Sequence, residues 1–155
     1  MKCAIGQDSH KFCDDPKKKL LLGGVEIPGH RPLEGNSDAD VVLHALTNAV
    51  SGITGVIILG EHADRMCKDM KITDSSCYLK EGLRHLGFHS ISHVSFSMEC
   101  ATPVLAPHIP NIRESVACLL GIDVSCVGIT ATSGEGLTSF GRGEGILCTC
   151  IITVA

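Results

Sequence analysis

SDADVVLHALTNAVSG, residues 37–52, sets the reading of the whole chain. Val42, Leu43, Leu46, Ala49 and Val50 recur at helical spacing and give residues 38–51 a broad apolar face. Ser37, Asp40, His44 and Asn48 follow one another at spacings of 3, 4 and 4, a polar stripe on an otherwise apolar helix. His44 on that stripe is either a satisfied interior histidine or a ligand, and the flanking segments bear on which.

Upstream, residues 2–8 read as a short strand that runs into Asp8-Ser9-His10. KLLLGGVEIP (19–28) is two apolar runs around Gly23-Gly24, a hairpin signal. GHRPLEGNSDAD (29–40) is a loop ending in capping residues. Downstream, GEHADRMCKDMKI (60–72) reads as a polar, mobile connection, and TDSSCYLKEGLRHLG (73–87) as a second helix capped by Thr73 or Asp74 and stopped at Gly87. ISHVSFSME (91–99) alternates: Val94, Phe96 and Met98 on one face, His93, Ser95, Ser97 and Glu99 on the other, a half-buried strand. TPVLAPHIP (102–110) is a loop, and NIRESVACLLG (111–121) a third helix with Pro110 near its start and Gly121 past its end. VSCVGITA (124–131) and ILCTCIITV (146–154) are the last strands, separated by TSGEGLTSFGRGEG (132–145). This alternation predicts one α/β domain over residues 1–155, an α+β sandwich in which a mixed sheet carries helices on one face. The other face of such a sheet needs cover, which an oligomer supplies.

Composition narrows the function. With 44% hydrophobic and 19% charged residues the chain is globular, and with four Phe, one Tyr and no Trp its core is aliphatic. A net charge of −4 gives no basic surface for nucleic acid. The longest apolar region, Val41 to Leu59, is interrupted by His44, Thr47 and Asn48, which argues against a membrane span. MKCAIGQDSH has no secretory apolar core, so the expected location is the cytoplasm, or the plastid stroma if a transit peptide has been removed. The nine Cys residues contain no CxxC pair and read as small buried hydrophobes kept reduced.

Three elements carry chemistry. On a strand, Asp8 and His10 point to the same side about 7 Å apart at Cα, and a catalytic metal wants three ligands with an open position. His44 is the candidate third; the bland alternative makes Asp8 a turn residue and His44 an interior histidine. The start of the first helix, around EGNSDAD, offers free backbone N–H groups that favour phosphate. The glycine-rich stretch supplies hydroxyls from Thr132, Ser133 and Thr138, a lone carboxylate at Glu135 suited to a divalent ion bridging phosphates, and Arg142, which can pair with phosphate or with Glu144. Read alone, it is equally a flexible hairpin loop.

Together and in this order, IGQDSH, LGGVEIP, SDADVVLHALTNAVSG, TDSS, LAPHIPNIRESVACLLG and GRGEG resemble the 2-C-methyl-D-erythritol 2,4-cyclodiphosphate synthase family over nearly the whole chain. The resemblance implies a homotrimer with sheets facing the threefold axis, where the apolar residues of ILCTCIITV and VSFSM are the candidate buried face, and active sites between subunits. It implies a zinc ion on Asp8, His10 and His44, and a magnesium or manganese ion on Glu135. Phosphate contacts fall on Asn36, Ser37, Thr132, Ser133 and Arg142, with Asn36 and Ser133 as catalytic positions. The cytidine pocket falls on Cys100, Pro103, Val104, Leu105, Ala106 and Ala131. The implied substrate is a nucleotide diphosphate, 4-diphosphocytidyl-2-C-methyl-D-erythritol 2-phosphate, cyclised with loss of CMP in the non-mevalonate isoprenoid pathway. Two other classes fit the same residues: a metal-dependent phosphoryl-transfer enzyme with a shifted substrate, and a non-catalytic trimer binding an isoprenoid diphosphate or a partner.

The chain departs from the family pattern at several substrate positions. Asn36 replaces a histidine, Asn48 an aspartate, Val104 and Gly136 lysines, and Ser139 stands where a phenylalanine is usual, displaced to Phe140. The family's D-I-G segment is Ile58-Leu59-Gly60, so the carboxylate that grips the erythritol hydroxyls is gone, and the next segment is HADRM. Ile58 and Gly60 mark that pocket, and Glu61 or Asp64 is the expected substitute for the missing carboxylate.

Overall fold

A computed structural model describes residues 1–155. Strand β1 (Lys2–Lys11) leads into a two-stranded hairpin, β2 (Leu21–Leu22) and β3 (Val25–Glu26). Helices α1 (Val41–Thr54), α2 (Glu61–Met70) and α3 (Ser75–Arg84) follow, then β4 (Ile91–Glu99), α4 (Ile109–Leu120), β5 (Val127–Thr132) and β6 (Gly145–Val154). The main sheet has the order β1-β6-β4-β5; β6 is antiparallel to both neighbours and β5 parallel to β4, so the sheet is mixed as expected. No helix is long and apolar enough to cross a membrane.

Close approach of α1 to β1 places the site. Gly6 has no side chain because a Cβ there would collide with the Ala45 carbonyl and the Ala49 backbone nitrogen and lie 2.9 Å from the Asn48 carbonyl carbon. Asp40 caps α1 by accepting the Leu43 N–H at 3.0 Å and also accepts the Gly23 and Gly24 N–H groups at 2.8 and 2.6 Å, which fastens the β2–β3 turn to the helix start. Burial pushes the Asp40 carboxyl up to about 6, against the pull of those three backbone bonds. Asp40 therefore belongs to the interior and not to the polar stripe that His44 and Asn48 present.

Two expectations are corrected. GEHADRMCKDMKI is not a connection: Glu61–Met70 is a full helix, α2. Its apolar signal is sparse because only Ala63 and Met66 pin it to Ile58 and Tyr78, while Glu61 and Asp64 suit the positive end of its dipole and Lys68 the negative end. Gly60 makes the entry possible with φ 116 and ψ −133, a conformation that strains any L-residue. The second correction concerns the apolar residues of β4 and β6, expected at a threefold axis. Ile146, Cys148, Cys150, Ile152 and Val154, with Val94, Phe96 and Met98, face the chain's own helices in the main core. The open face carries the alternate set, with Ile5 opposite Ile151 at 65% and 48% exposure among Leu147, Thr149, Ser95 and Ser97.

All nine cysteines are free. Burial pushes the Cys100 thiol up to about 11 and raises those of Cys148 and Cys150 further, so these three behave as the small buried hydrophobes read from the sequence; Cys3 and Cys118 are instead exposed, and Cys13, Cys67, Cys77 and Cys126 only partly buried.

Candidate metal centre and phosphate cleft

The end of β1 and the second turn of α1 bring Asp8, His10 and His44 together. Asp8 Oδ2 lies 2.8 Å from His10 Nε2 and 3.0 Å from His44 Nδ1, and the two nitrogens are 3.2 Å apart. Three ligands about 2.0 Å from a tetrahedral ion stand about 3.3 Å from one another, so the triangle has the size of a metal site.

The proton positions agree with that reading. His10 Nδ1 donates to the Glu34 carbonyl at 2.7 Å, which leaves Nε2 of a neutral imidazole bare and turned towards Asp8 and His44. Acceptors gathered this closely need a cation between them, either protons on the imidazoles or a metal ion. For the Asp8 carboxyl, burial works upward, but with the cation supplied as protons on the imidazoles the hydrogen bonds and charge of His10 and His44 outweigh it and hold the group at about 2. His44 turns its other nitrogen inward, where Nε2 meets Ser75 Oγ at 2.8 Å.

The cluster opens into a cleft of about 390 Å³ that also takes in Gly35, Asn36, Ser37, Asn48, Gly60, Asp64 and Tyr78. Asn36 and Ser37 therefore line the same cleft as Asp8, His10 and His44. Asn48 is tied down by its amide, which donates to the Gln7 carbonyl at 3.0 Å. Ile58 is fully buried against Ala63 and Tyr78 and offers nothing to the cleft; its neighbours Leu59 and Gly60 line it instead. Asp64 lines both the cleft and a groove on the outer side of α2, whereas Glu61 lines only that outer groove, with Arg65, Lys68 and Asp69.

The remaining candidates gather elsewhere. Cys100 is buried at the end of β4, its Sγ donating to the Thr102 carbonyl at 3.0 Å, while Val104 is 72% exposed and Leu105 is buried before the 3-10 turn that begins at Ala106. Ala131 and Thr132 end β5 beside Met98 and Glu99. The turn after them runs through positive φ at Gly134, Glu135 and Gly136, which holds the Glu135 carboxylate exposed in a conformation that costs a non-glycine residue about 1–3 kcal/mol. Thr138 donates to Glu99, and Arg142 pairs with Glu144 at 3.1 Å and with Ser139 at 3.1 Å. None of these residues lines the metal cleft. β1 and β5 are opposite edges of the sheet, three strand spacings apart, or about 14 Å.

Sequence reading missed Asp38, Ser75, Cys67 and Tyr78. Cys67 and Tyr78 line the cleft, the thiol of Cys67 donating to the Asn36 carbonyl and Tyr78 to the Ile72 carbonyl at 2.5 Å. Asp38 and Ser75 sit in SDAD and TDSS, where their residue types signal helix caps and nothing more.

A family model described as the YgbB family matches residues 1–155. The chain is 46% identical over 153 residues to the 2-C-methyl-D-erythritol 2,4-cyclodiphosphate synthase of Chlamydia caviae, covering 97% of this chain and 87% of that protein. Among solved structures, the bifunctional IspDF from Campylobacter jejuni matches with a TM-score of 0.87 and 27% identity, over 98% of this chain and 41% of that one. A CDP-bound 2C-methyl-D-erythritol-2,4-cyclodiphosphate synthase matches with a TM-score of 0.87 over 99% of this chain and 100% of its own, and at 22% identity it speaks to the fold alone.

Proposed function

This chain belongs to the YgbB family, and we propose that its metal cleft is completed, in a homotrimer, by the β5 edge of a neighbouring copy. The enzyme converts 4-diphosphocytidyl-2-C-methyl-D-erythritol 2-phosphate to 2-C-methyl-D-erythritol 2,4-cyclodiphosphate and CMP, a step of the non-mevalonate route to isoprenoids. The observation that carries the reading is the bare-nitrogen triangle of Asp8, His10 and His44 opening beside the Asn36-Ser37 loop. Supporting the trimer is the distribution of residues: each sheet carries half of the expected site on β1 and the other half beyond β5, too far apart for both to grip the same diphosphate within one chain.

Asp8, His10 and His44 would hold zinc, whose preference for two imidazoles, a carboxylate and an open position fits this donor set, and Glu135 would hold magnesium or manganese. Bound there, the two cations supply positive charge to the diphosphate oxygens. The chain's own residues do the positioning. The Asn36 amide and the Ser37 hydroxyl donate to phosphate from one copy, and the Thr132 and Ser133 hydroxyls from the other, with Asn36 and Ser133 closest to the reacting phosphorus. Cys100, Pro103, Val104, Leu105, Ala106 and Ala131 enclose the cytidine. Asp64 takes the erythritol hydroxyls in place of the carboxylate that Ile58 lacks. The 2-phosphate oxygen attacks the β-phosphorus and CMP leaves. Since the nucleophile is already an anion, no general base is required, and alignment with charge neutralisation is the catalysis. The working compartment is the cytoplasm.

The test is incubation with this substrate and magnesium, with mass detection of the cyclic product and CMP. Intact substrate after saturating enzyme would refute the reading.

A further inference from the structure

Behind His44, on the side away from the cleft, three side chains form a file. His44 Nε2 lies 2.8 Å from Ser75 Oγ, and Ser75 Oγ donates to Asp38 Oδ1. Asp38 is fixed in turn: its Oδ2 accepts the Ser75 N–H at 2.9 Å, its Oδ1 accepts the Asp40 N–H at 3.0 Å, and its own N–H donates to the Thr73 carbonyl at 2.9 Å. Ser75 is fully buried as the first residue of α3, and His44 is 8% exposed.

The hydrogen-bond inventory allows one direction. A carboxylate only accepts, so the single Ser75 hydroxyl proton points at Asp38. Ser75 Oγ can then only accept from His44, so the imidazole proton sits on Nε2. That leaves Nδ1 bare, and Nδ1 is the atom facing Asp8 and His10. Ser37 Oγ, the one other group near Nε2, stands 3.5 Å away, at the limit of a hydrogen bond, against 2.8 Å for Ser75 Oγ, so Ser75 is the partner that fixes the ring.

We infer that Asp38 and Ser75 are positioning residues for the metal: acting in series, they hold His44 in the tautomer and orientation that present Nδ1 as a ligand. The file rests on the zinc reading of the cleft. It also joins two parts of the site, because Asp38 follows Ser37 directly in the phosphate loop. A shift of that loop therefore reaches the metal ligand through two hydrogen bonds. Outer partners of metal-binding imidazoles commonly set affinity by 10- to 100-fold.

The experiment measures zinc affinity by competition with a chromophoric chelator, and separately the melting temperature of the zinc-free protein. Wild type and His44→Ala come first: a wild type that does not bind zinc refutes the site itself, independently of the file. Given wild-type binding, Ser75→Ala is expected to weaken zinc 10- to 100-fold while the zinc-free protein melts within a few degrees of wild type. Asp38→Asn should weaken it as well, since the amide must turn its NH₂ towards one of the donors that the carboxylate accepts. The double variant should lose no more than the worse single one, as members of one series do. Zinc affinity within threefold of wild type in Ser75→Ala, or losses that multiply in the double variant, would overturn the inference. So would variants that fail to fold and are not rescued by saturating zinc, because the residues would then serve the fold and not the ligand.

Discussion

Replacing Asp64 with alanine removes the only carboxylate that lines the cleft apart from Asp8. If Asp64 grips the erythritol diol, its removal costs at least one hydrogen bond to a charged acceptor, worth about 1.5–3 kcal/mol. At 1.4 kcal/mol per tenfold, that range is about 10- to 150-fold in kcat/KM. The Asp64 side chain is 53% exposed in the single chain and 3.7 Å from Lys68, so water and the lysine weaken its hold and the expected loss is near the lower end, about tenfold. The diol does not change charge as the cyclic diphosphate forms. Its grip is therefore equal in ground and transition states, and the loss should fall on KM with kcat within about threefold. The assay is steady-state CMP release by Asp64→Ala and Glu61→Ala, with CMP affinity as the control. Glu61→Ala should match wild type, because Glu61 lies outside the cleft. A wild-type KM in Asp64→Ala would refute the assignment, as would an equal rise in Glu61→Ala, which would mean that α2 contributes a general field and not a contact.

Further outcomes are expected. His44→Ala should emerge from purification with little zinc and almost no activity, which elemental analysis of the purified variant would check. Glu135→Gln should cut kcat far more than it weakens CMP binding, since a cation bridging the phosphates acts on charge that moves during the reaction; collapse of CMP affinity with turnover preserved would give Glu135 another role. Gly6→Ala should cost about 3 kcal/mol, the upper end of overpacking, because the clash is with helix backbone and not with a side chain that can swing away; thermal melts should fall by roughly 6–12 °C. Asp40 gives a pH signature. Its carboxyl titrates near 6 in the folded chain against an ordinary 3.8, so its contribution is full below pH 4 and is lost as pH rises through 6, about 3 kcal/mol in all. Urea unfolding should therefore show Asp40→Asn less destabilising at pH 7 than at pH 4, and a pH-independent difference would count against a raised carboxyl.

The sequence determined what short-range pattern can carry. The helix over Val41–Thr54 shows in its period, and β4 in its alternation. The Asp8–His10 pair shows because residues two apart on a strand share a side, and the third member of the cluster because His44 stands on the polar stripe of the first helix that follows. Tertiary structure decided what depends on contacts between distant segments. α2 was illegible because two apolar residues hold it, and their partners Ile58 and Tyr78 lie outside it in sequence. Whether Glu61 or Asp64 meets the substrate turns on the rotation of that helix, which no local pattern fixes. The apolar sets of β4 and β6 were visible as stripes, but which stripe faces the chain's own helices depends on where α1 docks, and Gly6 sets that. Asp38 and Ser75 read as ordinary caps until α3 carried Ser75 against His44, 31 residues away in sequence. The strand order β1-β6-β4-β5 was beyond the sequence for the same reason, since pairing across a sheet is a long-range choice. That order puts the Asp8–His10 end of β1 on one edge and the Glu135 turn beyond the other, and on that separation the proposed trimer rests.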